Sequence, residues 1–473
     1  MRKRGMLVIA FGGVVASGCS LAPHHKVPPL PTPSEFPQYG GDSTVAARAM
    51  AVGWREFFAD DRFKAVLGAA LEHNRDLVIA VAQIDEARGL YRIRNADRLP
   101  TLGANAGATR SRISAGSIAG APAGSGGFTV DRYSIGVGVS SFELDFWGRV
   151  RSLSEAARSR FLATVQAQRA FRLSLIREVA ATYLASLEFA ERIQIAEATV
   201  ASRQEGLRIA KVRFDAGITS ALDYRQAESL LTQAEADLAG LRLAKAQADN
   251  ALAALVGGPV AEPMPNAVPL ERQVNPVPLA PGLPSELLVA RPDIIAAEEQ
   301  LRAAEADIGA ARAAFFPSIS LTGSFGYASS ELNKLVGNDG LTWSFGPALN
   351  LPIFDHGRNR GNLAVARARQ NIAIASYERA IQTAFREVAD ALAGRRYLAE
   401  QVAAQERGTL AQRQIAELAH TRYNEGVVGY IEVLDAERNR FAAEQALLQL
   451  RRAQVENLVS LYVALGGGAI DQR

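Results

Sequence analysis

From Ser318 to Ala328 the odd positions are Ile319, Leu321, Gly323, Phe325 and Tyr327, while the even ones are Ser318, Ser320, Thr322, Ser324 and Gly326. Leu341–Ile353 repeats the scheme: Leu341, Trp343, Phe345, Leu349, Leu351 and Ile353 alternate with Thr342, Ser344, Gly346, Ala348 and Asn350. A period of two gathers the apolar side chains on one face of a strand. Tyr133–Val139 alternates in the same way, but the phase slips before Phe142 and Leu144, which predicts a bulge. Leu102, Ala104, Ala106 and Ala108 alternate weakly with Gly103, Asn105 and Gly107. Four strands are therefore expected, at about 101–110, 132–144, 318–328 and 341–353. An apolar face opposite a small polar one, over about ten residues, is the pattern of a transmembrane β-barrel strand. Tyr133, Tyr327, Trp343 and Phe345 are candidates for interfacial aromatics. Loops 114–127 and 329–340 read as the exposed hairpin ends.

Elsewhere the period lengthens. Ala227, Leu231, Ala234, Leu238, Leu241, Ala248, Leu252 and Leu255 step by threes and fours, the seam of a coiled coil. Leu434, Phe441, Leu448, Val455 and Tyr462 recur every seven, with Leu447, Leu450 and Leu461 on a neighbouring stripe. Two stripes imply neighbours on two sides. Helices are expected at roughly 73–98, 150–214, 221–255, 293–314, 360–423 and 430–465. A helix of about 65 residues is roughly 100 Å long, beyond the span of a globular core.

The second half of the chain repeats the first. Arg213-Phe214-Asp215-Ala216-Gly217 answers Arg422-Tyr423-Asn424-Glu425-Gly426, and Arg177-Glu178-Val179-Ala180 answers Arg386-Glu387-Val388-Ala389. Gly148-Arg149 answers Gly357-Arg358, and Gly257-Gly258 answers Gly466-Gly467, all at one constant spacing. Asp76 and Pro100 answer Asp293 and Pro317 at a spacing eight residues wider, so the first copy is longer between its strands. The expected organisation is a signal peptide at 1–18, a tether at 19–60, a first repeat at 61–258, a Pro-rich linker at 259–284, a second repeat at 285–468 and a tail at 469–473.

The chain contains one cysteine. Met-Arg-Lys-Arg precedes an apolar run from Met6 to Val15, then Ala16-Ser17-Gly18-Cys19. A basic start, a short apolar stretch and small residues make a secretory signal. Small residues before a Cys resemble a lipoprotein processing site, which makes Cys19 a candidate for lipid attachment, although Ala16 stands where Leu is usual. Ser20 in place of Asp favours passage to the outer membrane. Three acyl chains would anchor firmly where one would not. Pro23 to Pro37 lacks an apolar period and reads as an extended tether.

Composition closes several alternatives. The net charge is +3 and no basic face exists beyond Arg2-Lys3-Arg4, so nucleic acid is not an expected partner. No later run of 18 apolar residues is present, which excludes a helical membrane protein. His24, His25, His73, His356 and His420 form no metal spacing, no P-loop occurs, and Gly136-Val137-Gly138 lies in a strand pattern. No cofactor, metal site or enzymatic activity is expected. Four strands cannot close a barrel, and open edges do not survive in lipid, so several copies must combine. The pattern alone does not fix their number.

Together these marks identify a resemblance to the outer-membrane factor family of TolC-like channels, in its lipoprotein branch. The most specific are Cys19-Ser20-Leu21-Ala22-Pro23, Trp54 with Asp60-Asp61, Asn74-Arg75-Asp76-Leu77, Asp145-Phe146-Trp147-Gly148-Arg149, Arg291-Pro292-Asp293-Ile294, Ile308-Gly309-Ala310-Ala311-Arg312 and Phe316-Pro317-Ser318-Ile319-Ser320. The resemblance implies a mixed α and β membrane protein: a homotrimer with a twelve-stranded barrel, continued by an α-helical periplasmic tunnel with an equatorial collar. It implies a passive exit duct partnered by a periplasmic adaptor (membrane fusion) protein and an inner-membrane pump of the resistance-nodulation-division (RND) type. The turns Gly217-Ile218-Thr219 and Gly426-Val427-Val428 match the adaptor-facing tip, and Glu432 and Asp435 match the acidic constriction. The family's basic residue after the second turn glycine is missing, with Val428 near its place, which puts an ion pair between protomers in doubt. A type I secretion duct and a periplasmic coiled-coil adaptor lipoprotein are the alternative readings.

Overall fold

The computed structural model describes residues 20–33, 35–36, 52–114, 127–259, 264–275, 288, 291–337 and 339–468. Cys19, the signal segment and the tail lie outside them. The elements are α1 (Trp54–Phe57), α2 (Asp61–His73), α3 (Arg75–Ala96), β1 (Leu102–Ile113), β2 (Phe128–Leu144), α4 (Arg149–Asp215), α5 (Ala221–Val256), α6 (Pro292–Ala313), β3 (Ser318–Ser329), β4 (Leu341–Asn350), α7 (Arg358–Asn424) and α8 (Tyr430–Ala464). No described helix is long and apolar enough to cross a membrane. The chain forms two compact units.

One unit comprises residues up to Val27, Asp85–Leu162 and Glu298–Ala375, and it contains the sheet. The strands run antiparallel in the order β1-β2-β3-β4. Register carries the alternation across all four: Ala106, Ile135, Tyr327 and Leu341 share one row, and Ala104, Val137, Phe325 and Trp343 the next. Between them runs Asn105, Gly136, Gly326 and Thr342, a row of the opposite face. The expected phase slip is a bulge between Val139 and Phe142, where Ser141 takes φ 58°. It returns Phe142 and Leu144 to the apolar side, opposite Leu321 and Ile319. On the small face Ser324 and Ser344 hydroxyls meet at 2.7 Å. The strand ends differ from the expected ones. β1 and β2 run on to Ile113 and back to Phe128, stabilised by a two-pronged Arg110–Asp131 pair at 2.7 and 2.8 Å. β4 stops at Asn350 because its partner β3 begins at Ser318.

The second unit comprises Pro28–Ile84, Ala163–Ala297 and Ser376–Arg473. The expected helical seam packs inward, with Ala227, Ala234, Leu238, Leu241 and Leu252 buried. Repeat-related positions share burial: Val179 and Val388 are both fully enclosed. Two expectations need correction. The helix expected at 73–98 is α3, but a separate helix α2, not expected from the sequence, precedes it; the two part at Asn74, whose side chain caps α3 through Leu77 N at 2.9 Å and donates to Leu255 O at 2.8 Å. Nor do residues 52–60 belong to a tether: Val52, Trp54, Phe57, Phe58 and Asp60 are buried. Phe57 stacks on Tyr462 at 4.2 Å, Phe58 meets Phe63 at 4.4 Å, and Tyr462 Oη donates to Val52 O at 2.7 Å. Trp and Phe carry enough apolar area to override the surrounding polar composition. The Pro-rich linker also packs where it is described: Leu270 and Gln273 are buried, and Ala59 N and Asn275 N bond the two segments together at 2.9 Å each. Arg291 ties the start of α6 to Asp293 at 2.7 and 3.0 Å and to Glu387 at 2.7 Å.

Candidate functional site

Each long helical pair is joined by a turn built in the same way. At the first, Gly217 takes φ 71°, its N donates to Phe214 O at 2.9 Å, and Ile218 N donates to Arg213 O at 2.8 Å. At the second, Gly426 takes φ 75°, its N donates to Tyr423 O at 3.0 Å, and Val427 N donates to Arg422 O at 2.9 Å. These are Schellman closures: a left-handed residue, cheapest as glycine, lets two trailing N–H groups satisfy the last free carbonyls. The helices that follow start differently. Ser220 and Asp223 form a reciprocal capping box, and Thr219 Oγ1 donates to Asp223 at 2.5 Å. Those bonds, from Thr219 first and then Ser220, hold the Asp223 carboxyl below its usual range. Gly429 caps α8 with no side chain at all.

The tips expose apolar surface. Ile218 is 72% and Val427 64% exposed, and Leu222 and Ile431 on the following turns are exposed as well. The two turns are neighbours. Arg213 lies 5.0 Å over the Tyr423 ring and donates to its hydroxyl, and Tyr423 meets Tyr430 at 5.1 Å. A cleft of about 220 Å³ behind them is lined by Gly206, Ile209, Leu230, Tyr423, Tyr430 and Leu434. Burial there lowers the pKa of Arg203, which donates to Leu230 O at 2.9 Å, and raises that of Tyr430.

Glu432 and Asp435 stand in the first turns of α8, both exposed. Glu432 accepts from Arg422 Nη1 at 2.5 Å, and Asp435 from Arg438 Nη2 at 2.9 Å. Both carboxylates therefore have basic partners within the same chain. Arg422 comes from the end of α7 and Arg438 from one turn further along α8. Both partners leave a signal in the sequence: Arg438 is three residues from Asp435, and Arg422 sits one helical turn before the glycine. Cys19 lies outside the described residues.

A family model described as outer membrane efflux protein matches residues 66–258 and 283–467, the two repeats in turn. The chain belongs to the outer membrane efflux protein family. It is 42% identical over 463 residues to the solvent efflux pump outer membrane protein SrpC of Pseudomonas putida, with 97% of each chain covered. It is 41% identical over 453 residues to the cation efflux system protein CusC of Escherichia coli strain K12, covering 96% of this chain and 97% of that one. The open state of the Neisseria gonorrhoeae MtrE outer membrane channel superposes with TM-score 0.87 at 39% identity, covering 95% of this chain and 99% of that one. Membership makes the protein an outer-membrane efflux channel, a transporter rather than a catalyst. The alternative of a periplasmic adaptor is thereby excluded. Family relatives work as components of efflux systems, so pump components are its partners.

Proposed function

We propose that three copies of this chain form a twelve-stranded barrel continued by an α-helical tunnel, the passive exit duct of a tripartite efflux pump. The observation that carries this reading is the four-stranded sheet. Its apolar face, with Ile135, Val137, Phe325, Trp343 and Phe345, is exposed, and β1 and β4 are edge strands. Such a face belongs against lipid, and such edges must be paired by another chain. Four strands per copy make twelve in a homotrimer.

In this reading the lipid anchor is Cys19. The tips Gly217, Ile218, Thr219, Gly426, Val427 and Val428 meet a periplasmic adaptor protein, which links the duct to an inner-membrane RND-type pump. Exposed Ile218, Leu222, Val427 and Ile431 on the two neighbouring turns favour that contact, since clustered exposed apolar side chains mark interaction surfaces. Glu432 and Asp435 form two acidic rings at the periplasmic constriction. The relatives' names include both solvents and cations at nearly equal identity, so likeness does not select the cargo. Beyond the signal segment only Met50 and Met264 remain, which argues against a methionine-lined path for soft metals.

Light scattering of the detergent-purified protein is expected to give three protomers, and mass spectrometry an acylated N-terminus at Cys19. A stable detergent-free monomer would eliminate the barrel. An unmodified Cys19 would eliminate the anchor alone.

A further inference from the structure

The β1–β2 hairpin reaches beyond the other two strands. Tyr133, opposite Ala108 and Ser329, is the last residue of β2 shared with β3 on the apolar face. Past it the pairing of β1 with β2 continues alone through Arg110–Asp131 and Arg112–Thr129 to Ile113–Phe128. The alternation that puts Ala104, Ala106 and Ala108 on the apolar face puts Arg110 and Arg112 there too. Two arginines therefore top a column of alanines, on the side of the sheet that carries Ile135, Phe325 and Trp343. Arg132, exposed as well, lies on the opposite face, level with Thr109.

Arg110 is positioned without being used up. Asp131 accepts from its Nε at 2.7 Å and its Nη2 at 2.8 Å, yet the Arg110 side chain is 75% exposed. A guanidinium has five N–H groups, so three remain to donate outward. Arg112 is exposed and forms no ion pair among the described residues. The two arginines thus keep a positive charge that Asp131 does not cancel. Their level matters as much as their face. From Ile319 to Tyr327 the apolar face of β3 extends eight residues, about 27 Å along a strand and about 21 Å in height at the usual barrel tilt, close to the apolar band of such barrels. Arg110 and Arg112 lie two and four residues past Tyr133, about 5 and 10 Å higher on the same scale. The polar layer on each side of a bilayer is about 5–7 Å thick, so Arg110 falls within it and Arg112 at its outer margin. In hydrocarbon either arginine would be costly; at this level both meet headgroups.

The strands meet the helices at their other ends, so this hairpin points away from the helical part. In the barrel reading above, on which the inference rests, that end faces the exterior. We propose that Arg110 and Arg112 bind the phosphate of an anionic lipid in the outer leaflet. The phosphate takes the outward N–H groups of both guanidiniums, whose planar forks suit its oxygens. The acyl chains lie below it along Ala108, Ala106 and Ala104, where small side chains leave a shallow strip beside Tyr133 and Ile135. A free phosphate would match the arginines but not the apolar strip beneath them. The contact fixes a lipid against β1, an edge strand of the sheet.

Native mass spectrometry of the detergent-purified full chain tests this. Dioleoylphosphatidylglycerol and dioleoylphosphatidylcholine share acyl chains and differ in net charge. The parent is expected to retain the anionic lipid about fivefold better than the zwitterionic one, the effect of one uncompensated arginine near an anionic headgroup. Arg112→Ala and Arg110→Ala/Arg112→Ala should both lose that preference. Arg132→Ala, on the opposite face, should keep it. Should the double variant fail to fold, Arg112→Ala carries the test, since it leaves the Arg110–Asp131 pair intact. A preference unchanged in Arg112→Ala would overturn the site. Displacement of the anionic lipid by millimolar inorganic phosphate would overturn it too, by showing a site for the free anion. Equal retention of the two lipids by the parent overturns the site and leaves the barrel standing. A detergent-free monomer that retains neither lipid overturns the barrel, and the site with it.

Discussion

Replacing Asp60 with alanine will destabilise the protein by about 3–5 kcal/mol, the largest effect expected from a single side chain here. Asp60 is fully buried and holds three donors together: Arg62 N at 2.9 Å, Tyr183 Oη at 2.7 Å and Gln273 Nε2 at 3.0 Å. The first bond caps α2, worth about 1 kcal/mol. The other two satisfy groups that are themselves buried, and an orphaned buried donor costs about 1–3 kcal/mol. Burial, helped by the bond to Asp60, raises the Tyr183 pKa strongly, so its hydroxyl remains a donor across the working pH range. Tyr183→Phe should cost less, about 1–2 kcal/mol, because it removes one bond and leaves the cap and Gln273 in place. The double variant should cost less than the sum, since both changes break the same contact. Denaturant or thermal melts of the detergent-solubilised protein measure all three. A melt of Asp60→Ala within about 1 kcal/mol of the parent would show that water replaces the carboxylate.

The second large effect concerns conduction. With Glu432 and Asp435 ringing the constriction as proposed, Glu432→Ala/Asp435→Ala should lower the preference for cations over anions by a factor of about two or more in single-channel recordings, because clustered carboxylates at a narrow place concentrate cations. Arg422→Ala should act in the opposite direction, since it releases the Glu432 charge from its pair. Neither change threatens the fold. The Arg422–Glu432 and Arg438–Asp435 pairs are solvent-exposed, and exposed pairs contribute about 0–1 kcal/mol. Altered selectivity with an unaltered melt is therefore the expected combination. Unchanged selectivity in both variants would remove these residues from the pore.

Local order made the elements legible. A period of two in Ile319–Tyr327 and of three and four in Ala227–Leu255 needs no knowledge of distant residues, and even the bulge before Phe142 shows as a phase slip. The centre of the second unit was not legible. Asp60, Tyr183 and Gln273 come from three separate stretches, and nothing near any of them in sequence announces the others. Residues 52–60 carry no long apolar period of their own and follow the proline-rich stretch 23–37, so their compact group of aromatics shows as core only once its distant partners are packed against it. The pairing of Arg422 with Glu432 is hidden for another reason. The resemblance places a basic partner after the glycine, whereas the turn folds the preceding helix back beside the following one. Resemblance and spacing point to the site residues, while their partners follow only from the turn geometry.

The two long helices α4 and α7 are each 67 residues long, and the Arg213–Tyr423 contact sets their ends side by side. Equal length makes each helix a ruler for the other. Removing a single residue from one copy would withdraw its turn by about 1.5 Å and rotate it by about 100°, carrying its exposed apolar tip away from its neighbour's. Removing seven residues, about two turns, from both copies would keep faces and ends in step. Length changes tolerated in this chain should therefore occur in matched pairs, one in each half, so that the duplication constrains where the gene can grow or shrink.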